Sequence, residues 1–187
     1  MEATAMSMPP TIKIEAPTQK SMAPYGWVLG KPFPSEERAD AFRNSTTGFW
    51  REHIFDAGDG GEVEILWVEY RNVDPFIGQF EKHFYTQQAV VPLTGNITQI
   101  VALNAADGTP DLSSVRAYRL SPGIGLCMRP GVWHATRGKA ATCLMLTRRS
   151  TTLDLVKTLN GGDRPSETSL QDVTPIRLIQ SRRKSKA

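Results

Sequence analysis

Short apolar or alternating runs recur along the chain at 49–55, 62–70, 89–93, 97–103, 115–120, 125–128 and 141–147. Alternation at period two places every second side chain on one face, so these runs read as β-strands. Turn chemistry separates them. Gly58-Asp59-Gly60-Gly61, Thr94-Gly95-Asn96, Ala106-Asp107-Gly108-Thr109-Pro110 and Ser121-Pro122-Gly123 supply positive-φ glycines, side-chain-to-backbone hydrogen bonds or a fixed proline φ. The rhythm predicts an all-β sandwich or barrel. Helical signal is sparse: 35–43, capped by Ser35, and 150–159 are the two short helices expected.

A chain of 187 residues, 40% hydrophobic and 22% charged, predicts a single domain with a real core. Residues 1–20, rich in Pro, Thr, Ser and Met, read as a flexible N-terminal arm. Folding begins near Tyr25-Gly26-Trp27, which bounds the domain at 21–165 and leaves 166–187 as a C-terminal extension. Lys and Arg number 22 against 19 Asp and Glu, but Arg177, Arg182, Arg183, Lys184 and Lys186 stand in the last twelve residues without an acid. Without them the balance is 17 against 19, so the basic character belongs to a tail and no nucleic-acid partner is expected. No apolar run approaches the roughly 18 residues of a spanning helix, which predicts no membrane partner and a cytoplasmic location. Cys127 and Cys143, too few for a disulfide scaffold, read as small core residues.

The scarcity of histidine makes the surroundings of His53, His83 and His134 informative. The first constellation is Glu81-x-His83-x4-Gln88-x6-Gly95. On a strand Glu81 and His83 share a face, Lys82 points the opposite way, and Gln88 can return to them on the next strand. The second is Gly123-x5-Arg129-x-Gly131-x2-His134-x3-Gly138. His53, in Trp50-Arg51-Glu52-His53, reads as structural or dimer-facing.

Together the two constellations resemble the paired signatures of the cupin superfamily, with Glu81 in place of one histidine, Gln88 of a glutamate, Arg129 of a proline and Gly138 of an asparagine. The resemblance implies a single-domain cupin-type β-barrel, a double-stranded β-helix with a few short helices. It places Glu81, His83, Gln88 and His134 around one cavity. A divalent metal there, Ni, Zn, Mn or Fe, suits imidazole with an oxygen ligand, and His83, Gln88 and His134 are its expected holders. A metal-free site using the same groups stays open.

Longer strings carry a closer resemblance. Phe80-Glu81-Lys82-His83, Gln88-Ala89-Val90-Val91-Pro92, Pro110-Asp111-Leu112-Ser113-Ser114-Val115-Arg116-Ala117-Tyr118 and Gly131-Val132-Trp133-His134-Ala135 look like the ureidoglycolate lyase family over about 25–163. That family implies a homodimer that splits (S)-ureidoglycolate, a small carboxylate, into glyoxylate and urea in allantoin breakdown. Met128, Arg129 and Thr136 depart from its pattern, and the departures imply a shifted substrate or lost activity.

Collapse of such a carbinolamide needs a base for the hydroxyl proton, an acid or metal for the leaving urea and a cation for the carboxylate. No redox or nucleotide cofactor is required. His134 or Glu81 is the expected base, His83 the acid or a metal ligand, Gln88 an orienting substrate contact, and Arg129 the carboxylate clamp through its planar guanidinium. Asp111 and Ser113 read as a locally bonded turn. Two alternatives remain: a cupin acting on another small hydroxy or keto acid, and a ligand-binding cupin without turnover.

Overall fold

A computed structural model of the protein describes residues 8–36 and 38–180. Among these, thirteen strands and two helices follow one another: β1 Thr11–Glu15, α1 Gln19–Met22, β2 Gly26–Leu29, β3 Ala41–Arg43, β4 Gly48–Trp50, β5 Val63–Tyr70, β6 Phe76–His83, β7 Gln88–Thr94, β8 Ile97–Ala102, β9 Arg116–Leu120, β10 Gly125–Met128, β11 Trp133–Gly138, β12 Ala141–Arg148, α2 Arg149–Leu159 and β13 Thr168–Gln180. Six strands close into a barrel in the order β1, β13, β6, β11, β8, β9. A second sheet runs β2, β10, β7, β12, β5, and β3 with β4 forms a separate hairpin. The fold is an all-β barrel with few helices, as expected.

Two cores explain why these runs are so apolar. Ile14, Ile77, Phe80, Ile100, Ala117, Trp133 and Ile176 come from the six barrel strands and fill the closed barrel. Val28, Val90, Val101, Leu126, Met128 and Met145 pack between that barrel and the second sheet. Strand β8 serves both: Ile100 and Ala102 join the first core, Ile97 and Val101 the second, each at most 1% exposed. A strand covered on both faces reads as a continuous apolar run rather than an alternating one.

Four expectations need correction. No described residue of 35–43 is helical: the last of them form β3, which pairs with β4. The Asp40 carboxylate takes the Arg38 and Arg51 guanidinium groups, and Asn44 Oδ1 accepts the Thr46 and Thr47 amides, so the polar side chains turn the backbone into a hairpin. The run at 49–55 likewise keeps strand geometry only to Trp50. The arm assigned to 1–20 contains β1, which pairs in parallel with β13 and β9 because Ile14 drops into the barrel core. The extension after 165 contains β13, whose Ile176 and Leu178 are buried. Residues 1–7 and the basic Arg182, Arg183, Lys184 and Lys186 lie outside the described residues. The helix expected at 150–159 is α2.

Candidate active site

Strands β6 and β11 meet through one registered pair, His134 opposite Glu81. Alternation then turns Glu81 and His83 to the same side, with His134 and Thr136 beside them, while Lys82 and Trp133 turn to the other. The imidazoles of His83 and His134 stand 5.1 Å apart in an edge arrangement. One ligand atom from each of Glu81, His83 and His134 falls within 4.8 Å of the others.

Each histidine is oriented by a polar partner. His134 Nδ1 lies 3.1 Å from the Val132 carbonyl, so Nδ1–H donates there and Nε2 is turned toward Glu81. That Nε2 is buried and 3.2 Å from Glu81 Oε1, yet the two are too poorly aligned to hydrogen-bond. His83 Nδ1 is 3.0 Å from the Thr168 hydroxyl of β13, and its Nε2 is 3.4 Å from the Gln88 amide nitrogen, which also reaches Met145 Sδ at 3.2 Å. Burial, and next the charge of His134, push the His83 pKa down to about 4 against an opposing pull from Glu81. His83 is therefore neutral over the physiological range. Burial pushes the Glu81 carboxyl up, but the contact and charge of His134, with a smaller effect of His83, outweigh it and hold it below the ordinary value.

A divalent ion fits this donor set. Two imidazole nitrogens and a carboxylate oxygen converge, and the buried His134 Nε2 has no aligned partner. Gln88 turns its nitrogen, not its oxygen, toward His83, so the ligand-bearing oxygen comes from Glu81.

Two hollows of about 240 Å³ each adjoin across Glu81 and Tyr70. One is lined by His83, Gln88, Met145 and Thr147, with Thr151, Thr152 and Leu155 of α2 over it. The other is lined by His134, Thr136 and Arg137.

A family profile described as ureidoglycolate lyase matches residues 9–145, which include every residue of this cluster. The chain belongs to the ureidoglycolate lyase family. A ureidoglycolate lyase of Pseudomonas syringae pv. tomato is 30% identical over 130 residues, 66% of this chain and 73% of its own. A protein of Agrobacterium fabrum provisionally named ureidoglycolate lyase is 27% identical over 181 residues, 88% of this chain and 99% of its own. Among solved structures, a dTDP sugar isomerase from Desulfovibrio desulfuricans G20 aligns at a TM-score of 0.40 and 12% identity over 69% of this chain and 77% of its own, a likeness too slight to argue from.

Within this family member, Arg129 does not reach the site. Met128 ends β10 pointing inward, so Arg129 points out. Its guanidinium lies 4.0 Å from the Trp27 ring and reaches the Ala23 carbonyl at 3.4 Å. Arg137 lines the second hollow, but its guanidinium donates to the Asp74, Phe76 and Thr136 carbonyls. His53 stacks on the other residue of that outer cluster, Trp27, and bonds Gln87 at 2.8 Å, well away from the pair of site histidines. Asp111 Oδ1 accepts the Ser113 amide and hydroxyl in a short 3₁₀ turn, the structural role expected.

Sequence reasoning missed Tyr70 and the α2 threonines. Tyr70 lines both hollows and is driven up by burial, so it stays a neutral phenol. Its signal was present: Leu66, Val68 and Tyr70 share a face on β5, opposite Ile65 and Trp67.

Proposed function

We propose that the protein is a carbon–nitrogen lyase that cleaves (S)-ureidoglycolate to glyoxylate and urea, a cytoplasmic step of allantoin and purine degradation. The observation that carries this reading is the convergence of Glu81, His83 and His134 beside one pair of hollows in a member of this family. In the reaction the substrate hydroxyl loses its proton, its oxygen forms the aldehyde C=O, and the C–N bond breaks as the urea nitrogen takes a proton. No electrons leave or enter.

Glu81, ionised and with 34% of its side chain exposed toward the hollows, takes the hydroxyl proton and returns it to the departing nitrogen. His83, neutral and backed by Thr168, serves as a ligand or hydrogen-bond acceptor rather than as a proton donor. His134 presents its Nε2 beside the carboxylate, 3.2 Å from Oε1. Gln88 and the Tyr70 phenol orient polar ends of the substrate. A divalent metal held by Glu81, His83 and His134 would supply Lewis-acid stabilisation of a substrate oxygen and a positive charge for the carboxylate.

The test is incubation of purified protein with (S)-ureidoglycolate, with and without added Ni, Zn, Mn or Fe, and assay of glyoxylate. No product in any condition rejects the reading. One observation favours a second reading, a different small hydroxy or keto acid on the same groups: no Lys or Arg is among the described residues lining the His83 hollow. A panel of such acids in the same assay decides between them.

The reading includes a homodimer. It is supported by the outer face of β5, where Ile65 is 65% and Trp67 71% exposed at the edge of the second sheet.

A further inference from the structure

We propose that Lys82 and Asn104, which face away from both hollows, are the positioning pair that fixes the two site histidines relative to each other. The inference rests on the roles given above to His83 and His134. Its starting point is the seam between β6 and β11. The two strands that carry the site share a single registered pair, where β11 and β8 share six. One ladder rung leaves the relative height of His83 and His134 weakly specified, so something else must set it.

A closed circuit of bonds does so on the far side of the seam. The Lys82 ammonium donates to Asn104 Oδ1 at 2.6 Å and to the Gly108 carbonyl at 2.8 Å. It also lies 4.3 Å from the centre of the Trp133 ring. Asn104 Nδ2 donates to the Gly131 carbonyl at 2.9 Å, and the Gly131 amide donates to the His83 carbonyl at 2.7 Å. Lys82 precedes His83 and Trp133 precedes His134, so the circuit holds the His83 backbone through its carbonyl and the neighbour of His134 through the Trp133 ring, without touching either imidazole. Gly131 completes it with a φ of +76°, which a residue with a Cβ adopts only under strain.

The amide of Asn104 has one orientation that serves this circuit. Its oxygen must face the ammonium and its nitrogen the carbonyl, since reversal would set donor against donor. Lys82 is 9% exposed, and a buried ammonium holds its partners more firmly than a solvated one.

The test uses Asn104→Asp and Lys82→Met in the full chain. Asn104 is exposed, so its substitution leaves the fold intact. Aspartate keeps an acceptor for Lys82 but puts a carboxylate oxygen against the Gly131 carbonyl. Methionine keeps the aliphatic stem on Trp133 and removes the charge. The expected result for Asn104→Asp is faster amide hydrogen exchange at Gly131, moved imidazole nitrogen NMR shifts for both His83 and His134, and kcat about 10- to 100-fold lower with KM unchanged. Lys82→Met follows the same pattern, and where it fails to fold Asn104→Asp alone decides. Wild-type exchange at Gly131, unmoved imidazole shifts, or a wild-type kcat in Asn104→Asp overturns the inference. If the wild-type protein itself produces no glyoxylate, the functional reading fails, while the exchange and shift measurements still decide the positioning role.

Discussion

At the scale of single residues, the site depends on two imidazoles whose partners differ. His83→Ala and His134→Ala, made separately, are each expected to lower kcat/KM by about 10²- to 10⁴-fold, read as glyoxylate release. Arg129→Ala is expected to leave kcat/KM at the wild-type value, because the guanidinium stacks on Trp27 outside the hollows. A pH effect on stability follows from His83. Its folded pKa is depressed to about 4, against 6.5 for the ordinary imidazole, so between these values the unfolded chain binds the extra proton and the folded one does not. Stability is therefore full above pH 6.5 and falls as pH drops toward 4, by about 3 kcal/mol. Urea melts of chelator-treated protein across that range should show the fall, and His83→Gln should flatten it. The spacing Glu81-x-His83-x4-Gln88 with the distant His134 made the site groups legible, since strand alternation alone puts Glu81 and His83 on one face. Arg129 was misread for the same physical reason: at the end of β10 alternation belongs to Met128, and nothing in the local sequence tells which of two neighbours turns inward.

At the scale of elements, legibility followed how regular a strand's own apolar pattern is. Strands β7, β8, β9, β10 and β12 stood out as runs with boundaries shifted by only a residue or two. Strand β1 carries too few residues to show a period, and its partners are Ala117, Tyr118 and the stretch Arg177 to Gln180, far along the chain. Strand β13 was hidden because a register shift between Asp172 and Ile176 breaks its alternation. Segment 35–43, whose end is β3, read as a helix because charged residues at 35–40 mimic a polar helical face. Ile100 of β8 is fully buried, so Ile100→Ala should cost about 2 to 5 kcal/mol in a urea melt, with kcat at low denaturant retained.

At the scale of the whole molecule, barrel and second sheet share one wall, and the polar cluster stands where β6 and β11 leave that wall thinly paired. The outer apolar face of β5 makes a separate prediction. Trp67→Glu should convert a dimer to a monomer by light scattering with the circular dichroism spectrum unchanged; a wild-type protein that is already monomeric removes the homodimer from the reading.

The parallel pairing of β1 with β13 also bears on how a cell makes this protein. Thr11 needs Arg177 beside it and Ile14 needs Gln180, so the cylinder stays unsealed until the ribosome has released residue 180. A nascent or prematurely terminated chain carries β6 and β1 with bare edges in the meantime, and it is this unfinished species, rather than the finished enzyme, that chaperones must shield from aggregation.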